Sequence, residues 1–585
     1  MKTTLKDILS IMKVQFSECK ETFFFQFVYG FCLSFQNMPT VIFPAMIINE
    51  LTGSRKSDIL ILYIVLFAGS VFFIRYISAF IEGLQSIYNL KLPHAFILKL
   101  AKKMFIIDYS ETEKAEFIDQ YDNAGNEVFN ACGNIYTLFT LGISVVVKFI
   151  LLIYIISTLD ISLVFILLLF SVLNCILNTK ENKTDAEYQS LLSSAERRGS
   201  YAWDLTSSLA FAKDLRMYAP DDYVESHYLE CEKIRIQIEK EKKRKIFIIH
   251  TLQVVLSILQ MAIMYTFMIV KFNFGLITIG GFALYISTAN EFYGTIASFL
   301  RIFEKTKSVS YHYKAFRNFM ELPEIETHGH KVDKVNAPCI EFQNVSFRYP
   351  GRDDYALRNI NLKVCPFEHL AIVGDNGAGK TTFIKMLTRL YEPTEGAILI
   401  DGRNIKEYDY EQYMSLFSPV FQDFELLAYS IKENITFDNY DKNRFEKVTQ
   451  CVGLQETIEK LANHENTFIK KEFESSGVEL SGGEKQKVAI ARAFYKDAVI
   501  ALLDEPTAAI DPMAEYEVFR NFFEFSKQKT TFLISHRMGS TRFCDRIIVF
   551  ENGEIVEVGT HKELIERDGV YNRMYQKQAS YYVGN

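Results

Sequence analysis

Three patterns are scarce or missing in this sequence, and each absence removes a class of protein. Nine cysteines are scattered from Cys19 to Cys544 with no CxxC pair and no histidine at metal-ligand spacing. Neither a disulfide framework nor a zinc site is expected, and a reducing compartment fits. Positive charge is not in excess: 64 Lys and Arg stand against 71 Asp and Glu, a net charge of −7. With no cluster of Lys and Arg dominating the C-terminal half, nucleic acid is not the expected partner. No small-residue cleavage site closes an apolar stretch near the N-terminus, which argues against a cleaved secretion signal.

What stands at the N-terminus instead is a helical pattern. Leu5, Ile8, Leu9, Met12 and Phe16 recur between Lys2, Lys6, Lys13 and Lys20, as in an amphipathic helix lying on the inner surface of a membrane. Long apolar runs follow, centred on residues 23–48, 59–81, 135–157, 161–177, 246–270 and 275–299. Each is near or above the roughly 18 to 20 residues that a helix needs to cross about 30 Å of hydrocarbon. Runs such as "SVVVKFILLIYII" are apolar all round, unlike the one-sided stripe of a core helix. Six transmembrane helices are predicted. Segments 91–134 and 178–245 are rich in Lys and Arg, whereas the hairpins at 52–58, 158–160 and 271–273 are short and carry few. That asymmetry puts the long loops and both termini in the cytoplasm. Lys148, Glu291 and Arg75 fall within or near spans, where charge is costly. They are candidates to line a substrate cavity, to pair with one another, or to snorkel.

A chain of 585 residues is too long for one core. The pattern changes near residue 320, giving a membrane domain over 1–320, a linker over 321–338 and an α/β domain over 339–585. In that last part "HLAIVGDNGAGKTTFIKML" reads as strand, loop and helix, and matches GxxxxGK[ST] at Gly374, Gly379, Lys380 and Thr381. Backbone N–H groups from Gly374, Asp375, Asn376, Gly377, Ala378 and Gly379 through Thr382 wrap phosphates in such a loop. Lys380 reaches the β- and γ-oxygens, and the Thr381 hydroxyl is placed to ligate Mg²⁺. Further on, "AVIALLDEPTAAID" is a buried-strand run that exposes Asp504 and Glu505 at its end. Asp504 is the candidate to hold Mg²⁺ through water, and Glu505 to polarise the attacking water. A second glycine-and-hydroxyl turn, Ser481, Gly482 and Gly483 in "VELSGGEKQ", also looks made for an anion.

"GDNGAGKTT", "LSGGE" and "LLDEPTAAID" in this order resemble the nucleotide-binding domain of ABC transporters, and six spans ahead of one such domain resemble an exporter-type half-transporter. The resemblance implies that Tyr349 in "VSFRYPG" stacks on adenine, that Gln422 in "PVFQDF" contacts the metal and the reacting water, that Asp511 closes the D-loop and that His536 in "LISHR" is the switch histidine. It further implies that Ser481 and its glycines bind the γ-phosphate of ATP held by Lys380 of a second chain. The signature carries Glu484 where Gln is commoner, and the D-loop carries Ala508 and Ile510 where Ser and Leu are frequent. Coupling helices are expected at 109–118 and 207–218, the latter offering Leu209, Phe211 and Leu215 as apolar knobs. The first span starts near Phe23, so no N-terminal peptidase domain is expected.

The expectation is therefore ATP-driven export of a peptide, lipid or amphipathic small molecule by alternating access of a dimer. Its partner is a second copy or a related chain. A half-size chain without organelle targeting and with Lys-, Ile- and Asn-rich usage points to a bacterial cytoplasmic membrane. Two alternatives stay open: a membrane-bound sensor or gated channel that does not pump, and an ABC ATPase without a transport role.

Overall fold

A computed structural model describes residues 2–114, 116–157, 161–207, 212–218, 221–325, 329–331, 337–437, 439–471, 473–506 and 512–582. The expected knobs Leu209 and Phe211, the D-loop positions Ala508, Ile510 and Asp511, and the 158–160 hairpin lie outside the described residues. The chain divides into two compact units, Met1–Lys102 with Asp119–Glu321 and Lys103–Ile118 with Leu322–Asn585.

The first unit is helical. Its elements are α1 (Lys2–Glu18), α2 (Lys20–Phe35), α3 (Met38–Thr52), α4 (Ser57–Asn89) and α5 (Lys91–Met104). After α6 (Tyr109–Thr112), which belongs to the other unit, come α7 (Phe117–Ser157), α8 (Ile161–Ser207), α9 (Ala212–Tyr218), α10 (Asp221–Asn273) and α11 (Ile279–Met320). Among the described residues four stretches are long and apolar enough to cross a membrane: Lys20–Thr52, Ser57–Met104, Phe117–Ser157 and Asp222–Asn273. The other two expected spans lie on α8 and α11. In α11 the polar pair Asn290 and Glu291 interrupts the apolar run.

One sequence reading changes here, and the structure selects among the alternatives of another. The apolar residues of α1 do not form one lipid-facing stripe. Ile8 and Ile11 are buried while Leu5, Leu9 and Phe16 are exposed, and Asp7 is buried, gripped by Arg317 Nη1 at 2.6 Å and Ser310 Oγ at 2.5 Å. The helix thus docks on the C-terminal part of α11 with one face and presents its other apolar residues outward. Of the three ionisable residues in the spans, Lys148 and Glu291 pair with each other, Nζ to Oε1 at 2.9 Å, and Asn37 Nδ2 lies 3.2 Å from both Glu291 oxygens. Arg75 lies instead in a shallow recess with Phe67, Val71 and Tyr76.

The second unit holds the strands β1 (Ile340–Phe347), β2 (Leu357–Val364), β3 (His369–Gly374), β4 (Glu395–Ile400), β5 (Arg403–Asn404), β6 (Phe417–Val420), β7 (Ile500–Asp504), β8 (Thr530–Ile534), β9 (Arg546–Glu551) and β10 (Glu554–Gly559). One sheet is antiparallel with order β2-β1-β4-β5, and the other has order β10-β9-β3-β8-β7-β6. β7 and β8 are buried along their whole length, and β3 is buried after His369. This is why β3 after His369 and β7 before Asp504 read as continuous apolar runs, as expected for parallel strands covered on both faces. Lys103–Ile118, which a division at residue 320 leaves with the membrane domain, packs in this unit. Asp108 N donates to the Pro323 carbonyl at 3.0 Å and Ile325 N to the Ile106 carbonyl at 2.8 Å. Lys103 is buried there, its Nζ 2.7 Å from Glu324 and 2.6 Å from the Leu322 carbonyl oxygen.

Candidate functional site

Strand direction determines where the site forms. β3, β6, β7 and β8 run parallel to their neighbours, so their carboxyl ends share one edge of the sheet. Ligands of open α/β sheets bind at that edge. The phosphate loop follows β3, Gln422 follows β6, Glu505 follows β7 and His536 follows β8.

The loop needs glycine at its first position. At Gly374 φ is 152° and a Cβ would stand 2.3 Å from the Phe550 carbonyl oxygen, so no other residue fits without moving β9. Gly379 caps the helix Lys380–Leu387 in a left-handed conformation, φ 105°. Between them the turn is pinned from the β9–β10 hairpin, where Gly553 N donates to the Ala378 carbonyl at 3.1 Å. Asp375, Asn376, Gly377 and Thr381 are exposed, whereas Lys380 and Thr382 are buried. Lys380 Nζ donates to the carbonyls of Gly374 and Asp375 at 2.9 Å each. Burial lowers its pKa, opposed by the nearby carboxylates of Glu505, Asp504 and Asp375.

At the end of β7 the two acids meet different surroundings. Asp504 is buried, and desolvation together with the Glu505 charge raises its pKa to about 6, against the pull of the Thr381 hydroxyl and Lys380. Its Oδ1 is buried with no hydrogen-bond partner among the described residues. Glu505 turns out of the strand with φ 49°, a backbone region that costs a non-glycine residue about 1–3 kcal/mol. The strain is held in place by Glu505 N donating to the Ile534 carbonyl at 3.1 Å and by Gln486 Nε2 reaching the Glu505 carbonyl at 3.4 Å. Its side chain is gripped from two sides, by His536 Nε2 at 2.7 Å from Oε1 and by Gln422 Nε2 at 3.1 Å from Oε2. Two residues, 83 positions before Glu505 and 31 positions after it, thus converge on its carboxylate.

The residues around Asp504 fit a magnesium ion. Mg²⁺ takes one or two carboxylates and completes its octahedron with water and phosphate oxygens. An unpartnered Asp504 oxygen beside the Thr381 hydroxyl is that kind of half-site. No group of three or more His, Cys, Asp or Glu that could hold a metal unaided occurs among the described residues.

Tyr349 and Ser481 have partners of their own. The Tyr349 hydroxyl lies 3.0 Å from Thr382 Oγ1, and its ring packs edge-on against Phe347 and Tyr391. Ser481 is the N-cap of the helix Gly482–Lys496. Its N and Oγ donate to Glu484 Oε2 at 2.9 and 2.7 Å, Glu484 N donates back to its Oγ at 3.3 Å, and its carbonyl accepts from Lys485 N at 2.9 Å. This reciprocal cap is the physical content of Glu484, and it lowers that carboxyl's pKa. Gly482 and Gly483 form the first turn of that helix, where free N–H groups and the dipole favour an anion.

Sequence reasoning missed two supports. Gln486 lies within the quoted signature stretch, and its signal is a buried glutamine on an otherwise apolar helix face. Gln578 gave none: from the C-terminal helix Val570–Tyr582 its Nε2 donates to the His536 carbonyl and its Oε1 accepts from Met538 N at 2.9 Å.

With this geometry in hand, comparison with known proteins is informative. The family model described as "ABC transporter" matches residues 357–508. The subtilin transport ATP-binding protein SpaT of Bacillus subtilis is 31% identical over 542 residues, covering 91% of this chain and 88% of that one. The ATP-dependent lipid A-core flippase of Escherichia coli K12 is 37% identical over 253 residues, 43% of each chain. Among solved structures, a bacterial Atm1-family ABC exporter with ATP bound superposes with a TM-score of 0.77 over 99% of this chain and 100% of that one, at 19% identity, a likeness of fold.

Proposed function

Because the chain belongs to the ABC transporter family, as an exporter-type half-transporter whose helical membrane part is fused to a P-loop ATPase, we propose how its residues divide the work of ATP-driven export. ATP phosphates take over Lys380 from the carbonyls of Gly374 and Asp375, and the N–H groups of 374–382 wrap them. Tyr349 stacks on the adenine. Thr381, Asp504 and Gln422 hold Mg²⁺, which when bound supplies positive charge to the β- and γ-oxygens. Glu505 is the general base, and Gln422 and His536 fix the direction of its carboxylate toward the attacking water. Ser481, Gly482 and Gly483 bind the γ-phosphate on a second copy, so that a homodimer has two shared sites. Closure of those sites by ATP and their release on hydrolysis drive alternating access of the membrane units. The working compartment is a bacterial cytoplasmic membrane with both termini inside.

The observation that carries this reading is the grip on Glu505: a strained residue at the strand end, held by two side chains from two other strand ends. A carboxylate that only capped a strand would need no such hold. In the full chain reconstituted in lipid, Glu505→Gln is expected to slow ATP turnover by roughly 10² to 10⁴, the usual worth of a general base. ATP binding should persist and nucleotide-loaded dimers accumulate. Turnover near the wild-type rate would remove Glu505 from the role.

A further inference from the structure

The first unit contains a polar recess in an apolar setting. Between α10 and α11 lies a cavity of about 530 Å³, lined by Gln253, Ser257 and Gln260 on one side and Asn290 and Tyr293 on the other, with Met261 and Met264 completing its wall. These residues fall within the apolar runs at 246–270 and 275–299, where an unpartnered polar group is expensive. Gln260 is 6% exposed, and its carboxamide oxygen is buried without a hydrogen-bond partner among the described residues. Ser257 Oγ and Tyr293 OH lie 3.2 Å apart across the cavity, so the two walls are already in register. The floor is firm: Met264 and Ala289 belong to a packed cluster with Leu152, Leu167 and Phe292.

The charge at this level of α11 is turned away. Glu291 is consumed by Lys148 and Asn37, while its neighbour Asn290 lines the cavity. No Lys, Arg, Asp or Glu is among the lining residues, and His250 at one end is held by Glu181 at 2.9 Å. Carboxamides and hydroxyls both donate and accept, which matches the backbone amide with its one N–H and one C=O. A phosphate, which only accepts, would call for fixed cations that the lining does not have. Methionine side chains adapt to apolar groups of varied shape.

We propose that this recess is a substrate subsite for an uncharged, amphipathic peptide segment, with Gln260 and Asn290 as the residues that hydrogen-bond its backbone. It rests on the export reading above and adds the substrate class and the place of binding. A cavity of this size suits a segment of a few residues, within the range of about 300–1,000 Å³ typical of ligand sites.

The test uses the full chain in lipid nanodiscs and, as probe, an N-acetylated, C-amidated heptapeptide of Leu, Ser and Gly carrying one diazirine side chain. Photolabel is expected on 253–264 and 289–293. Gln260→Leu and Asn290→Leu should each raise the half-saturating probe concentration at least fivefold, without lowering the melting temperature, because Leu at 260 removes a buried orphan oxygen. Label elsewhere, unchanged saturation, or a fall in melting temperature that accompanies the loss would each overturn the assignment, the last by making Gln260 a structural residue. A diazirine-bearing phospholipid that labels the same residues and competes with the peptide would overturn the peptide class. ATP-driven uptake of the probe into inverted vesicles is scored separately: uptake with label elsewhere sinks the subsite alone, and absence of uptake with label in place sinks the export of this class.

Discussion

Glu505 shows how the side chain of one residue is held by others far away in sequence. Its backbone strain aims the side chain away from β7, and His536 and Gln422 then limit its rotation. If the three act as a unit, their losses will not add. His536→Ala is expected to lower kcat by about 10² or more, with little change in the ATP concentration at half-saturation. Adding His536→Ala to Glu505→Gln should cost almost nothing further. Steady-state ATPase assays of the two single variants and the double variant check this. Additive losses would mean that His536 acts on something other than Glu505. Asp504, the acid one position earlier, is kept different by burial, and its unpartnered oxygen is what supports the metal role proposed for it.

Two elements carry the consequences outward. The helix Gly482–Lys496 begins with Ser481 under the Glu484 carboxylate, so a negative charge stands where a phosphate is proposed to bind. Glu484→Gln keeps an acceptor for Ser481 and removes that charge. Nucleotide titration should show half-saturation falling about fivefold, the equivalent of about 1 kcal/mol at a helix N-terminus, with the melting temperature slightly lowered because a depressed carboxylate that stabilises the helix start is removed. Weaker binding would mean that the carboxylate positions Ser481 in a way an amide cannot. The second element is the segment Lys103–Ile118, tied to the ATPase unit by Glu113, whose Oε1 is 2.6 Å from Lys385 Nζ and whose Oε2 accepts from the Tyr391 hydroxyl. Burial works against the Glu113 carboxylate, but Lys385 and Tyr391 outweigh it and hold its pKa below the ordinary range. A depressed carboxylate stabilises the fold above its unfolded pKa of about 4.3 and loses that contribution as pH falls through the folded value. Amide protection of residues 106–113 is therefore expected to be high at pH 7 and to drop only below about pH 4, while Glu113→Gln lowers it already at pH 7. Hydrogen exchange with the intrinsic pH dependence removed decides between them.

At the scale of the whole molecule, the parts that could be read in the sequence are those in which local chemistry dictates a local pattern. Phosphate binding demands Gly374 and Gly379 at a fixed distance from Lys380, and a doubly covered parallel strand demands the unbroken run before Asp504. Burial of apolar surface on all sides makes a membrane helix visible at once. What could not be read are pairings between distant side chains: Asp7 with Arg317 and Gln578 with the His536 carbonyl have no signal, and pairing of Lys148 with Glu291 is one of three open alternatives. A single glutamine or aspartate has no periodicity, and its partner is determined by packing that only the folded chain specifies. The same limit left residues 103–108 with the membrane domain although 109–118 read as a coupling helix, since the backbone bonds of Asp108 and Ile106 to the chain after Leu322 have no signal in the sequence.

ATP is proposed to be held between the phosphate loop of one chain and the signature of another, and dimers purified through two different tags test this. With Lys380→Ala in one chain and Ser481→Ala in the other, both defects fall on one shared site and the second site stays whole. With both substitutions in one chain beside a wild-type partner, each site receives one defect. ATP occluded in the presence of Mg²⁺ is predicted in about one site per dimer in the first arrangement and in markedly less in the second, taking one intact site as the order of magnitude for full nucleotide retention. The reverse ranking would show that Ser481 completes the site of its own chain, and would contradict the account.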